Sequence, residues 1–161
     1  MDTEQKVAII TGASQGIGAG LVRAFRQNGY VVVANSRSIR PQSDPGVVTI
    51  RGSIGDRDVA ERVVATAIER FGRIDTLINN AGIFISKPFT EYTVEDFDRV
   101  INVNLAGFFN VTQFAIAQML KQNRGHILQI TSSLVDQALA DVPAGLAALS
   151  KGGLDAVTRG L

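Results

Sequence analysis

An apolar run from Lys6 to Thr11 passes directly into Thr11-Gly12-Ala13-Ser14-Gln15-Gly16-Ile17-Gly18, which opens a helical pattern, and a second apolar run follows at Tyr30 to Asn35. This strand, glycine turn, helix and strand constrain the chain more than any other feature. The spacing has a physical reason. Gly12 permits a tight turn, Gly16 lets the backbone come close to an anion, and Gly18 lets the helix pack closely on the strand. The first turn of the helix then offers unpaired N–H groups to a diphosphate. A glycine-rich turn alone is weak evidence of a ligand. In this order, within about 30 residues, it matches the fingerprint of a dinucleotide-binding βαβ unit.

The rest of the chain fits that frame. Val47 to Arg51, Ile74 to Asn79 and Gly125 to Thr131 also read as strands, nearly all apolar, which suits a parallel sheet covered by helices on both faces. The first helix, Gly16 to Asn28, places Ile17, Leu21, Ala24, Phe25 and Asn28 on one face and stops at Gly29. Asp56 is placed to N-cap a second helix, whose Val59, Val63, Ala67 and Phe71 recur every four residues before Gly72. A third helical region runs from about Val94 through Met119 with an expected break near Asn104, and a fourth begins near Ala147. No repeat or linker divides these elements. The expected fold is a doubly wound α/β sheet in one domain over residues 1–161.

Composition narrows the functional classes. Sixteen Lys and Arg balance 15 Asp and Glu without clustering, so neither nucleic acid nor an anionic membrane is an expected partner. There are no cysteines, which removes disulfides and thiolate chemistry. His126, the single histidine, begins a strand away from the glycine turn and lacks a second ligand, so no metal is expected. Met1-Asp2-Thr3-Glu4 is acidic where a secretory signal is basic, and Val7 to Ile10 is too short to span a membrane. The expected setting is the cytoplasm.

Thr-Gly-x-x-x-Gly-x-Gly at Thr11 to Gly18, with Asn79-Asn80-Ala81-Gly82 after the fourth strand, resembles the short-chain dehydrogenases/reductases. The resemblance continues through Ile101-Asn102-Val103-Asn104, Thr131-Ser132-Ser133 and Ser150-Lys151-Gly152-Gly153. It implies a Rossmann sheet ordered 3-2-1-4-5 with NAD(P)(H) across the carboxyl ends of the strands. It further implies hydride transfer between the nicotinamide and a small carbonyl or alcohol. The cofactor residues expected on this basis are Thr11, Gly12, Ser14, Gln15, Gly16, Ile17, Gly18, Asn35, Ser36, Arg37, Ser53, Ile54, Asn80, Ala81, Gly82 and Lys151. At the end of the second strand, where an acidic residue would bind a ribose 2′-hydroxyl, stands Asn35-Ser36-Arg37-Ser38. Arg37 suits a 2′-phosphate, so NADP(H) is favoured and NAD(H) is the alternative. Ser53 stands where the family commonly places an Asp near the adenine.

The resemblance assigns catalytic roles to Asn104, Ser132 and Lys151, with Ser133 as the alternative hydroxyl. It also exposes a departure. The family spaces Tyr and Lys four residues apart on one helix, so that the ammonium lowers the phenol's pKa. Ala147 occupies that place here, and Tyr30 and Tyr92 fall elsewhere in the chain. A dinucleotide-binding protein without turnover is therefore the second expectation. Family members continue with a substrate-lining segment and two further strands, so the chain reads as truncated after Leu161. The helical pair from Val103 to Met119 and from Ala147 onward resembles the family's subunit interface and implies a homodimer or homotetramer. Phe97, Val100, Val103, Phe108 and Phe109 are expected in the core or at that interface.

Overall fold

Five short runs of β-branched and aliphatic residues form strands: β1 (Val7–Thr11), β2 (Val31–Ser36), β3 (Val47–Arg51), β4 (Thr76–Asn79) and β5 (His126–Gln129). In this computed structural model, which describes residues 5–137, 139 and 141–161, they pair in one parallel sheet of order β3-β2-β1-β4-β5. This is the expected order. Met1 to Glu4, read above as an acidic start, lie outside the described residues.

Successive residues of a strand face opposite ways, and β1 shows how both faces are covered. Val7 and Ile9 join one apolar cluster with Val63, Ala67, Val111 and Ala115, while Ala8 and Ile10 join another with Val22, Ala34 and Ile78. All five residues of β1 are buried, so the continuous apolar run records two coats of helix rather than one.

The helices are α1 (Gly16–Gln27), α2 (Arg57–Phe71), α3 (Val94–Val100), α4 (Gly107–Lys121) and α5 (Gly145–Thr158). Gly29 and Gly72 adopt positive φ beyond α1 and α2 and donate their N–H groups back to Arg26 and Ile68, as their position suggests. Three details differ from expectation. The face of α1 is turned: Gly18 and Val22 are buried, Leu21 and Phe25 partly so, and Ile17, Ala24 and Asn28 are exposed. A side chain at Gly18 would strike the Gly12 carbonyl, so the helix rests on its glycine and the buried stripe follows from there. Asp56 is the N-cap residue of α2, but its carboxylate caps nothing; its carbonyl accepts from Val59 and Ala60.

The third difference concerns Asn104. No break occurs there. α3 and α4 are joined through a π-helical stretch, Ile101–Ala106, into one continuous helix over Val94–Lys121. A Thr93/Asp96 capping box starts it. It is long and apolar enough to cross a membrane by length and composition, yet Val100, Val111, Ala115 and Met119 are buried within the fold, as in a core helix.

The amino edge of the sheet is fastened by polar side chains. Asp75 accepts from the Val7 N–H at 2.8 Å and pairs with Arg73 at 2.6 Å and Arg124 at 3.3 Å. His126, at this edge, is exposed, and no group of residues suited to a metal occurs among the described residues. The carboxyl edge, by contrast, is open.

Candidate functional site

At that edge the β1–α1 turn is held from beneath by β4. The Thr11 hydroxyl accepts from the N–H groups of Asn80 (3.1 Å) and Ala81 (3.0 Å), and the Asn80 amide donates to the carbonyls of Thr11 (2.9 Å) and Gly12 (3.1 Å). Thr11, expected at the cofactor, is 1% exposed and faces inward as this clamp. Asn79 turns away to bond Thr112 at 3.0 Å. The glycines divide the work further. Gly12 has φ 65°, and a Cβ there would lie 2.8 Å from the Asn80 amide nitrogen. Gly16 has φ 53°, and a Cβ there meets nothing within 4 Å. The backbone at the start of α1 therefore faces open space. Gln15, the N-cap residue, makes no side-chain cap bond to the first turn, which leaves the positive end of α1 turned to that space.

The space is a cleft of about 320 Å³ lined by Gly12, Ser14 to Gly18, Asn35 to Ser38, Gly52 to Ile54, and Asn80 to Ile83. Apart from Thr11 and Lys151, all fourteen of the cofactor residues expected from the sequence line this cleft. A groove of about 310 Å³ continues it past Ser14, Gln15 and Ser38 to Arg40. On the other side Ile83 is shared with a second cleft of about 450 Å³, lined by Phe84, Ser132, Ser133, Leu134, Leu139, Val142, Ala147 and Lys151. Together they make one long trough across the strand ends, a shape suited to an extended ligand and to the rule that open α/β sheets bind there.

Each end has its own chemistry. At the β2 end the Asn35 amide is committed to β3, donating to Ile50 (3.0 Å) and Gly52 (3.2 Å), and the Ser36 hydroxyl accepts from Ser38 N–H at 3.2 Å. Ser14 and Ser38 hydroxyls bond each other at 3.2 Å. Arg37 is exposed and lines the cleft. Ser38, Gly52, Ile83 and Val103 were missed by sequence reasoning, Val103 having been expected in the core or at an interface; only Ser38 carried a signal, as the hydroxyl following Arg37.

At the other end the π-helical stretch delivers Asn104, 1% exposed, to three partners. Its Oδ1 accepts from Ile83 N–H at 2.9 Å, and its amide donates to the Ile83 carbonyl (3.2 Å) and the Ser150 hydroxyl (3.0 Å). Lys151 reaches across from α5 and donates to the Ile130 carbonyl at 2.6 Å. Burial pulls its ammonium below the ordinary lysine range. Gly82 stands between them: a Cβ there would lie 3.3 Å from Lys151 Nζ and 3.4 Å from Asn104 Oδ1. Ser132 accepts from Leu134 N–H at 3.2 Å, capping a short turn, while Ser133 is exposed, and both line the same cleft. Ala147, one helical turn before Lys151, is buried and presents a methyl group to the cleft.

Comparisons with known proteins agree on the kind of chain this is. The family model described as short chain dehydrogenase matches residues 6–161. A 3-oxoacyl-[acyl-carrier-protein] reductase, FabG, of Thermotoga maritima is 39% identical over 145 residues, covering 82% of this chain and 57% of its own length. Oxidoreductase UcpA of Salmonella typhimurium is 34% identical over 164 residues, covering 97% and 62%. The chain thus spans less than two thirds of these relatives. Among solved structures, a short-chain dehydrogenase/reductase from Serratia marcescens matches with a TM-score of 0.84 at 30% identity, covering 96% of this chain and 70% of that one. A tyrosine-to-phenylalanine variant of ElxO with NADPH bound matches with a TM-score of 0.88 at 26% identity, covering 97% and 66%.

Proposed function

The chain belongs to the short-chain dehydrogenase family, and from that premise we propose that it binds NADP(H) along the trough and serves a carbonyl or alcohol oxidoreductase. The observation that carries this reading is the start of α1, uncapped by Gln15 and opening through Gly16 onto a space that a side chain would enter unopposed. Amides there face a diphosphate, with the Ser14 hydroxyl beside them. Arg37 and Ser38, with no carboxylate between Asn35 and Ser38, favour a 2′-phosphate over a bare ribose hydroxyl. Ser53 and Ile54 flank the adenine region, and Ala81 and Gly82 form the floor.

When bound, the nicotinamide supplies or accepts the hydride. The chain's own residues hold the reacting groups. Lys151 is placed to bond ribose hydroxyls while its remaining N–H stays on Ile130, and Asn104 fixes the Ile83 backbone under the same floor. A hydroxyl from Ser132 or Ser133 orients the substrate oxygen. Ala147 stands where the family's proton-transferring tyrosine does, so the proton travels through water or a substrate group beside Lys151. Binding itself does not need the phenol, and the ElxO variant with NADPH bound supports that separation.

The methyl of Ala147 also favours a second reading, a dinucleotide-binding protein without turnover. A screen of carbonyl compounds with NADPH, run on the protein and on Ala147→Tyr, separates the two. The first reading predicts oxidation of NADPH by at least one compound and a gain in Ala147→Tyr. NADPH binding with neither supports the second. In either case we propose a cytoplasmic homodimer or tetramer. Phe109, Ile116 and Leu120 share one face of α4, and Leu149 and Val157 one face of α5; all but the partly buried Ile116 are exposed apolar side chains.

A further inference from the structure

We propose that Arg51 is a positioning residue for coenzyme selectivity: it fixes the backbone of Arg37 so that the Arg37 guanidinium faces a 2′-phosphate. This rests on the NADP(H) reading above. Arg51 does not line the cleft, and its contribution comes from behind the site.

The register of the sheet puts the two arginines together. β2 and β3 pair in parallel up to Ser36 opposite Arg51, so Arg51 ends its strand beside the residue that precedes Arg37. Beyond that pair the chains remain knitted. Gly52 N–H donates to the Ser36 carbonyl at 3.2 Å, and the Asn35 amide bridges Ile50 and Gly52. Arg51 Nε donates to the Arg37 carbonyl at 3.1 Å. Arg62, one turn into α2, donates from its terminal nitrogen to the Arg51 carbonyl at 3.0 Å. Gly52 permits this crowding: it has φ 151°, and a Cβ there would lie 2.6 Å from Val59.

The relay α2 to β3 to Arg37 therefore ends on a backbone carbonyl, not on a ligand. Among the described residues nothing hydrogen-bonds or ion-pairs the Arg37 guanidinium itself. Its five donors remain for an anion, while the backbone that carries it is already ordered. Ordering a flexible cation on binding costs conformational entropy, and holding its backbone beforehand removes part of that cost. The gain applies only to a ligand that Arg37 contacts. It is therefore a gain for NADPH and not for NADH.

The test measures dissociation constants of NADPH and NADH by coenzyme fluorescence for the wild type, Arg51→Met, Arg51→Lys and Arg70→Met. Arg70 is exposed in the last turn of α2 and matches the change in net charge without touching the relay. Arg51→Met is expected to weaken NADPH about five- to tenfold and NADH less than about twofold. Arg51→Lys keeps the charge but loses the Nε–H and restores only part of the difference. Arg70→Met changes neither. Equal shifts for both coenzymes, no shift, or full recovery in Arg51→Lys overturns the role of Arg51. Failure of the folded wild type to bind NADPH at all overturns the functional reading first, so the two failures are distinguishable.

Discussion

A Cβ added at Gly18 would be driven into the Gly12 carbonyl, whereas one at Gly16 meets nothing within 4 Å. Two glycines separated by a single residue thus serve packing and access separately. Gly18→Ala is expected to cost several kcal/mol, since its obstacle is backbone. Gly16→Ala bears only the strain of a positive φ, about 1 kcal/mol, and stays folded, but loses NADPH affinity more than about tenfold. Denaturant unfolding and coenzyme titration of both variants check this; equal effects on stability would contradict it. Lys151 gives a pH signature. Burial lowers its folded pKa below the ordinary lysine value of 10.5, so the folded protein binds fewer protons than the unfolded chain between the two values, and stability rises with pH across that window. Thermal midpoints of the wild type should therefore gain on those of Lys151→Met as pH rises toward 10.5; parallel curves would contradict the assignment. The glycine spacing was legible because it is local. Asn35 was not: its amide is consumed by Ile50 and Gly52 on a neighbouring strand, which only the register reveals.

Element by element, the strands were legible because a parallel sheet buried on both faces leaves long apolar runs. Helix surfaces were less so. The face of α1 was misjudged because hydrophobic periodicity does not register a glycine as a contact, and the contact of α1 with its turn is Gly18. The π-helical stretch was read as a break for a related reason. Its stability comes from tertiary partners of Asn104, namely Ile83 and Ser150, and sequence spacing holds no trace of them. Asn104→Ala leaves the Ile83 N–H and carbonyl without those bonds in a partly buried setting. It is expected to cost about 2 kcal/mol. Chemical denaturation measures it, and a cost near zero would mean that Asn104 does not brace this segment.

Taken whole, the fold collects segments distant in sequence, Thr11 to Gly18, Asn35 to Ser38, Asn80 to Ile83, Ser132 to Leu134, and Ala147 with Lys151, along one edge of one sheet. The apolar outer faces of α4 and α5 belong to the same scale. If they meet a second copy, Leu149→Glu, at an exposed position outside the cleft lining, should shift the protein to monomer by light scattering while NADPH binding persists; a wild type already monomeric at micromolar concentration would contradict the interface. The most direct test of the central claim remains a titration of the folded protein with NADPH and NADH. Saturable binding of NADPH in the micromolar range, about −8 kcal/mol, tighter than NADH and competed by 2′,5′-ADP, is the predicted result. Folded protein that binds neither reduced coenzyme would contradict it.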